Sequence, residues 1–158
     1  MATRSEDGRD LANPRVVGVL EKLSGVFAVA VGVGGLAVLV VGWGLGVSPL
    51  RSLGSGFGVM KATTALLLVL LAAAFWLVHR PQTTKRRMRA ALGLGVAVML
   101  IAGLTLSQDV LGWNLGIDQW LFRDAGSAGA QGRMSPTMAV SSIFLGAALV
   151  LFRRGARA

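Results

Sequence analysis

The segment 107–135 combines aromatic, acidic and basic side chains and is therefore the part of the chain best equipped to bind a ligand. The possible ligand or partner contacts in it are Trp113, Asp118, Trp120, Arg123 and Arg133. Tryptophans also gather at the headgroup level of membranes as an aromatic belt, with nearby charges paired in solvent. We expect the belt for Trp113 and for Trp43. For Asp118 and Trp120 both interpretations stay open.

Catalytic chemistry has few residues to draw on. The chain has no cysteine, and His79 is its one histidine. Neither a histidine metal cluster nor a Ser-His-Asp arrangement can therefore be built within one chain. His79 could act as a single axial ligand, but a histidine among loop charges is more often an interfacial anchor. We expect a non-enzymatic protein with no metal and no cofactor.

Four apolar segments must position these residues. Hydrophobic residues make up 54% of the 158 positions and charged residues only 15%. The apolar segments cover about 26–47, 62–78, the charge-free stretch between Arg89 and Asp109, and 136–152. Each approaches the roughly 20 residues that a helix needs to cross a bilayer. The sequence therefore predicts an all-α fold, an integral membrane four-helix bundle made of two tandem helical hairpins.

Basic residues cluster on one side of this arrangement. The connection 79–90 holds Arg80, Lys85, Arg86, Arg87 and Arg89 with no acidic residue, and Arg153, Arg154 and Arg157 follow the last segment. The positive-inside rule places both termini in the cytoplasm. The net charge of +9 thus reflects membrane topology, and we expect the lipid bilayer rather than nucleic acid as a partner.

The predicted organisation has five parts. They are a cytoplasmic segment 1–25, a first transmembrane hairpin 26–80, a basic loop 81–89, a second hairpin 90–153 with the long outer loop 107–135, and a tail 154–158. Residues 14–25 have helical apolar spacing. They form either a short interfacial helix or the first turns of the first transmembrane helix.

The two hairpins resemble each other. GWGLGV at 42–47 aligns with GWNLGI at 112–117, and MKATTA at 60–65 aligns with MSPTMA at 134–139. Two copies in the same orientation are expected to pack around a pseudo-twofold axis along the membrane normal.

Small residues predict where the helices pack. Ser24, Ala28 and Gly32 recur every four positions on the first segment, and Ser142 and Gly146 do so on the fourth, which lets backbones approach closely. The fourth helix also has a readable start, since Ser135 can cap it, Pro136 fits its first position, and Met134 could pack on Ala139.

Two motifs in the second hairpin resemble a known family. GWNLGIDQWLF, followed by GRMSPTMA, is similar to the N-terminal membrane region of bacterial sensor histidine kinases and diguanylate cyclases. There, comparable GW-x-LGID-x-LLF and GRM-x-P-x-TA stretches precede PAS, kinase or GGDEF domains. The resemblance covers 26–154. It implies a four-helix signal-input and anchoring module, multi-pass in the bacterial inner membrane, whose ligand is generally undefined.

A second interpretation stays open because no output domain follows the last apolar segment within these 158 residues. The chain would then be an accessory structural subunit of a larger membrane complex, for example photosynthetic or respiratory. Either way, we expect a protein partner in the membrane or at the basic cytoplasmic face.

The topology can be tested by labelling single cysteines, because the natural chain has none. We expect Ser48→Cys to react with a membrane-impermeant maleimide added to intact cells. Thr83→Cys should react only after the membrane is permeabilised. The reverse pattern would show that the predicted orientation is inverted.

Overall fold

The computed structural model describes residues 14–47, 60–79, 84–113, 115–116 and 134–155. These residues form four helices and no strand, which confirms the all-α prediction for the part of the chain described. The helices are α1 (Pro14–Ala37, extended by the π-helical turns Val38–Gly44), α2 (Ala62–His79), α3 (Lys85–Leu111) and α4 (Pro136–Gly155).

Three of the helices are long and apolar enough to cross a membrane. They are α1 with its π-helical extension, α2 and α3. The apolar part of α4, Pro136–Leu151, is shorter. Helix α1 begins at Pro14 and continues without a break through residue 25. Residues 14–25 are therefore the first turns of the first apolar helix and not a separate interfacial helix.

Glycines on one side of α1 allow its close packing on α2. A Cβ added at Gly32 would lie 3.1 Å from the Cβ of Ala72, and one at Gly35 would lie 3.1 Å from the carbonyl oxygen of Ala65. A Cβ added at Gly25 would lie 3.1 Å from Nε2 of the His79 ring. Of the residues predicted to pack, Gly32 lies in this contact, Ala28 is half-buried, and the Ser24 hydroxyl donates within its own helix to the carbonyl of Glu21.

The contact between α3 and α4 is tighter. A Cβ added at Gly146 would lie 2.9 Å from the carbonyl oxygen of Gly95 and 2.7 Å from Cγ of Met99. Ser142, one turn earlier on α4, is almost fully buried. Both residues predicted for packing on this helix therefore lie inside the protein, because only small side chains fit where the two backbones cross.

Helix α2 occupies the middle of the arrangement. It packs extensively on α1 and on α3, and it also touches α4, while α3 and α4 form the second antiparallel pair. A pseudo-twofold axis would relate the α2–α3 contact to an equal contact between α4 and α1. Among the described residues no comparable α4–α1 contact exists. The expected twofold packing is thus not reproduced.

Two apolar clusters fill the interior. One joins Leu67 of α2 to Val98 and Ala102 of α3 and to Met134 and Ala139 at the start of α4. The other joins Val38 and Trp43 at the end of α1 to Ala62 and Ala65 at the start of α2.

The Gly95–Gly146 crossing predicts a specific loss of stability. We expect Gly146→Ala to lower the free energy of unfolding by about 1–3 kcal/mol, because the new methyl group meets backbone atoms that cannot rotate away. Denaturation by SDS in mixed micelles, followed by circular dichroism, measures this.

Gly103→Ala is the matched control on α3, since an added Cβ there meets nothing within 4 Å. It should leave stability unchanged or raise it by roughly 0.5–1 kcal/mol, through the better helix propensity of alanine. Equal effects of the two substitutions would contradict the close crossing.

Candidate functional site at the tryptophan end

The two repeated motifs lie at the same end of the molecule. Helices α1 and α3 end there and helices α2 and α4 begin there, because both hairpins are antiparallel. We call this the tryptophan end, comprising the described residues of 38–47, 60–65, 105–116 and 134–139. The opposite end, with Lys85–Arg89 at the start of α3, is called the basic end.

Trp43 locks the first hairpin at the tryptophan end. Its side chain is only 7% exposed and packs with Val38, Ala62 and Ala65. Its indole Nε1–H donates to the carbonyl oxygen of Met60 across a distance of 3.1 Å. The end of α1 is thereby tied to the residues that lead into α2.

The helix that carries Trp43 ends in π geometry. Residues Val38–Gly44 are π-helical, and the Leu45 N–H donates to the carbonyl of Val40 at 3.0 Å, five residues back. Gly46 follows with φ of 74°, a conformation that favours glycine. A π-helical stretch accommodates an additional residue relative to an α-helix and often occurs at functional sites.

Trp113 has a different environment from its counterpart. Its side chain is 51% exposed. Its indole Nε1–H donates to the carbonyl oxygen of Ser107, near the end of α3, at 3.0 Å. Gly112, with φ of 70°, ends α3 in the left-handed conformation, so the chain folds back over the last turn of the helix.

Gln108 fixes the returning segment. This side chain is completely buried, and its Oε1 accepts the N–H of Leu115 at 2.8 Å. The aligned position in the first hairpin is Val38, which is apolar and also buried. An amide therefore replaces a core side chain in the second copy only. Sequence reasoning missed this residue, although a glutamine at the end of an apolar helix was the available signal.

The two motifs thus share some geometry and differ in the rest. Gly46 and Gly116 are aligned, and both have positive φ values, 74° and 66°. Gly42 continues a helix, whereas its partner Gly112 ends one. The expectation of an aromatic belt with matching tryptophans is wrong for Trp43, because α2 and the π-helical turns cover that ring.

The starts of α2 and α4 are also alike. The N–H groups of Ala65 and Ala139 each donate at 3.1 Å to the carbonyl four residues back. The predicted start of α4 is confirmed, since Ser135 Oγ accepts the N–H of Met138 at 3.3 Å. Met134 is buried in one cluster with Ala139, as expected of an apolar residue that packs across a helix cap.

Polar side chains are buried near this end. The Thr105 hydroxyl donates to the carbonyl of Ile101 at 3.0 Å. Thr63 is 2% exposed, and its hydroxyl has no hydrogen-bond partner within the described part of the chain. These groups offer hydroxyl and amide contacts but no nucleophile with an adjacent base. The described residues also hold no group of three metal-ligating side chains.

His79 lies at the basic end, away from Trp43 and Trp113. Its ring stacks on Phe75 with centroids 5.2 Å apart, and the edge bearing Nε2 faces α1 at Gly25. This position gives the ring a packing contact between α1 and α2. The remaining candidate contacts, Asp118, Trp120, Arg123 and Arg133, lie outside the described residues.

Comparisons of the chain with protein-family models, curated proteins and solved structures found no match.

The Gln108 contact predicts a local effect. We expect Gln108→Met, which keeps the length of the side chain, to speed amide hydrogen exchange at Leu115 by about fivefold to tenfold, because the N–H loses its acceptor. Exchange measured by NMR in detergent or nanodiscs resolves this amide.

Ser107→Ala is the control, since that hydroxyl bonds only to the carbonyl of Leu104 on the same helix, at 2.7 Å. It should leave the exchange rate of Leu115 unchanged. If Gln108→Met also left it unchanged, the buried amide would not hold the segment.

Proposed function

We propose that this protein is a non-enzymatic, membrane-embedded module of the signal-input and anchoring type. Its multi-pass helices would lie in a bacterial inner membrane with both termini in the cytoplasm. The length and apolar character of α1, α2 and α3 support membrane insertion. The exposed cations Lys85, Arg86, Arg87 and Arg89 support a cytoplasmic basic end. The tryptophan end then faces outward.

The observation that carries this proposal is the form of α1. It runs without a break from Pro14 to Gly44, a length of about 46 Å at 1.5 Å per residue. Its outer turns are π-helical and are tied to α2 by the Trp43–Met60 hydrogen bond. One continuous helix therefore connects the special geometry at its outer end with the basic end.

A π-helical segment holds one residue more than an α-helix of the same length, so the proposed signal is its conversion to α-helical geometry. Conversion to an α-helix would rotate the adjoining helix by about 100° per residue shifted and move it by about 1.5 Å. Breaking the Trp43–Met60 contact would favour such a conversion, since that bond fixes the position of the π-helical turns. Signal input here means a change of this kind carried along α1 to the basic end.

The face of α1 toward α2 suits such a movement. Gly25, Gly32 and Gly35 carry no side chains of their own, and α2 packs closely into the spaces that they leave. Long side chains at these positions would have to change rotamers together when the helices slide. Trp113, in contrast, donates to Ser107 near the end of α3, and its side chain is 51% exposed, so an outside molecule can reach it.

An accessory subunit of a larger membrane complex is the second candidate. It is favoured by the exposed apolar side chains of α1, which include Val26, Phe27 and Val33. In that case α1 would pack on a partner and would have no need to move.

Distances between spin labels separate the two functions. We place labels on Lys22→Cys and Arg86→Cys, which are exposed positions on α1 and α3 near the basic end. Trp43→Phe removes the indole N–H but keeps an aromatic ring. We expect Trp43→Phe to shift or broaden the distribution of label-to-label distances by on the order of 5 Å. Pulsed electron resonance in lipid measures this, with excess unlabelled chain present so that only distances within one chain are detected.

Trp113→Phe is the matched control, because it also removes one indole hydrogen bond, but one to Ser107 six residues earlier and not between two helices. It should leave the distance unchanged. An unchanged distance with Trp43→Phe would reject signal input along α1 and favour the subunit function.

A further inference from the structure

A second apolar face runs along α1, away from α2. It comprises Val16, Leu20, Leu23, Phe27, Ala30 and Gly34, and we call it the outer seam. Its positions are separated alternately by four and three residues, the spacing that keeps one line of side chains along a left-handed helix pair. All six are exposed, and Phe27 is 67% exposed.

The outer seam is separate from the contact with α2. On a helical projection it lies about 150° around α1 from Gly25, Gly32 and Gly35. Gly34 illustrates the difference, since an added Cβ there meets nothing within 4 Å, whereas at Gly35 it meets the backbone of α2.

Charge does not oppose pairing along this seam. The described charged residues of α1 are Arg15, Glu21 and Lys22. By helical spacing all three lie roughly 100° or more from the seam. Two copies could therefore approach without bringing like charges together, although the chain has a net charge of +9.

If the chain lies in a membrane as proposed, the outer seam is longer than the lipid layer that could cover it. Helix α1 first meets α2 at Gly25, and the part from Gly25 to Gly44 is about 30 Å long, the thickness of the hydrocarbon layer. The part from Pro14 to Ser24 extends roughly 16 Å further. Val16 and Leu20 thus lie where no acyl chains reach, and their exposed apolar surface calls for protein.

We propose that the outer seam pairs with the outer seam of a second copy of this chain. Copies inserted in one membrane share their orientation, so two α1 helices meet in parallel and in register around a twofold axis. Ala30 and Gly34 let the backbones approach closely within the membrane, and the larger side chains pack beyond it.

The available area suits such a pair. The seam and the flanking exposed Val19, Val26 and Val33 carry on the order of 700 Å² of exposed surface per chain, near the roughly 800 Å² that a stable interface buries on each partner.

Cysteine cross-linking of the full chain in native membranes tests the pairing. Membranes are first washed with alkaline carbonate, which releases proteins that are not inserted and so tests the membrane location separately. We expect Leu20→Cys and Leu23→Cys to form disulfide-linked dimers on mild oxidation. Glu21→Cys and Lys22→Cys, on the other sides of the same turn, should stay at background.

A second pair of variants probes close approach without touching the fold of one chain. Gly34→Ile should lower cross-linking through Leu20→Cys by about tenfold, because the added side chain separates the helices. Gly18→Ile is the control, since an added Cβ there also meets nothing within 4 Å but lies away from the seam.

Several results would overturn the pairing. The first is a Leu20→Cys chain that stays in the membrane after the carbonate wash but forms no dimer. The second is equal cross-linking at positions 20–23, and the third is cross-linking chiefly to a different protein. The fourth is unchanged cross-linking in Gly34→Ile. Release of the chain by carbonate would overturn the membrane location and the pairing together.

Discussion

Close approach of helix backbones at glycine is the interaction on which the rest of the structure depends. Dispersion attraction falls off steeply with distance, so apolar helices gain most where small residues let their backbones come close. At Gly95 and Gly146 two backbones meet with no room for a methyl group. At Gly35 the α1 backbone lies against the carbonyl of Ala65. Each hairpin is therefore defined by a glycine contact.

The tryptophan end shows how one motif gives two structures. In the first hairpin the indole of Trp43 reaches across to Met60 and becomes part of the core. In the second, Gln108 occupies the position of Val38 and binds the backbone of Leu115, which fixes the returning chain on α3. Trp113 then bonds to Ser107 and stays half exposed. The two motifs therefore differ because the buried residue four positions before each of them is Val38 in one hairpin and Gln108 in the other.

Helix α1 has the least protein around it and the most unusual ending. Its packing is confined chiefly to α2, so a long apolar surface faces outward. Its last turns are π-helical where the Trp43 bond holds them. Both features set α1 apart from α3, its counterpart in the repeat, which is packed on two sides and ends in an ordinary glycine cap. The functional proposals rest on this asymmetry.

Much of the local structure follows from local sequence signals. The start of α4 was readable because Ser135 caps the helix through neighbouring backbone groups. The helices were readable because each apolar run approaches the length of a membrane-spanning helix. Gly32, Ser142 and Gly146 lie in contacts because small residues at helical spacing mark places where backbones can approach. Gly25, Gly35 and Gly95 were overlooked, since a glycine-rich chain offers many such faces and only the partner helix selects among them.

The sequence by itself therefore determined which segments are helices, where α4 begins, and that two similar motifs lie at one end. Those features depend on residues near each other along the chain. Only the tertiary structure decided that Trp43 is buried and Trp113 exposed, that α1 and α4 do not meet as a twofold repeat would require, and that Gln108 holds the second motif. These outcomes depend on which side chains from distant segments fill the same space, and similar motifs diverge when their neighbours differ.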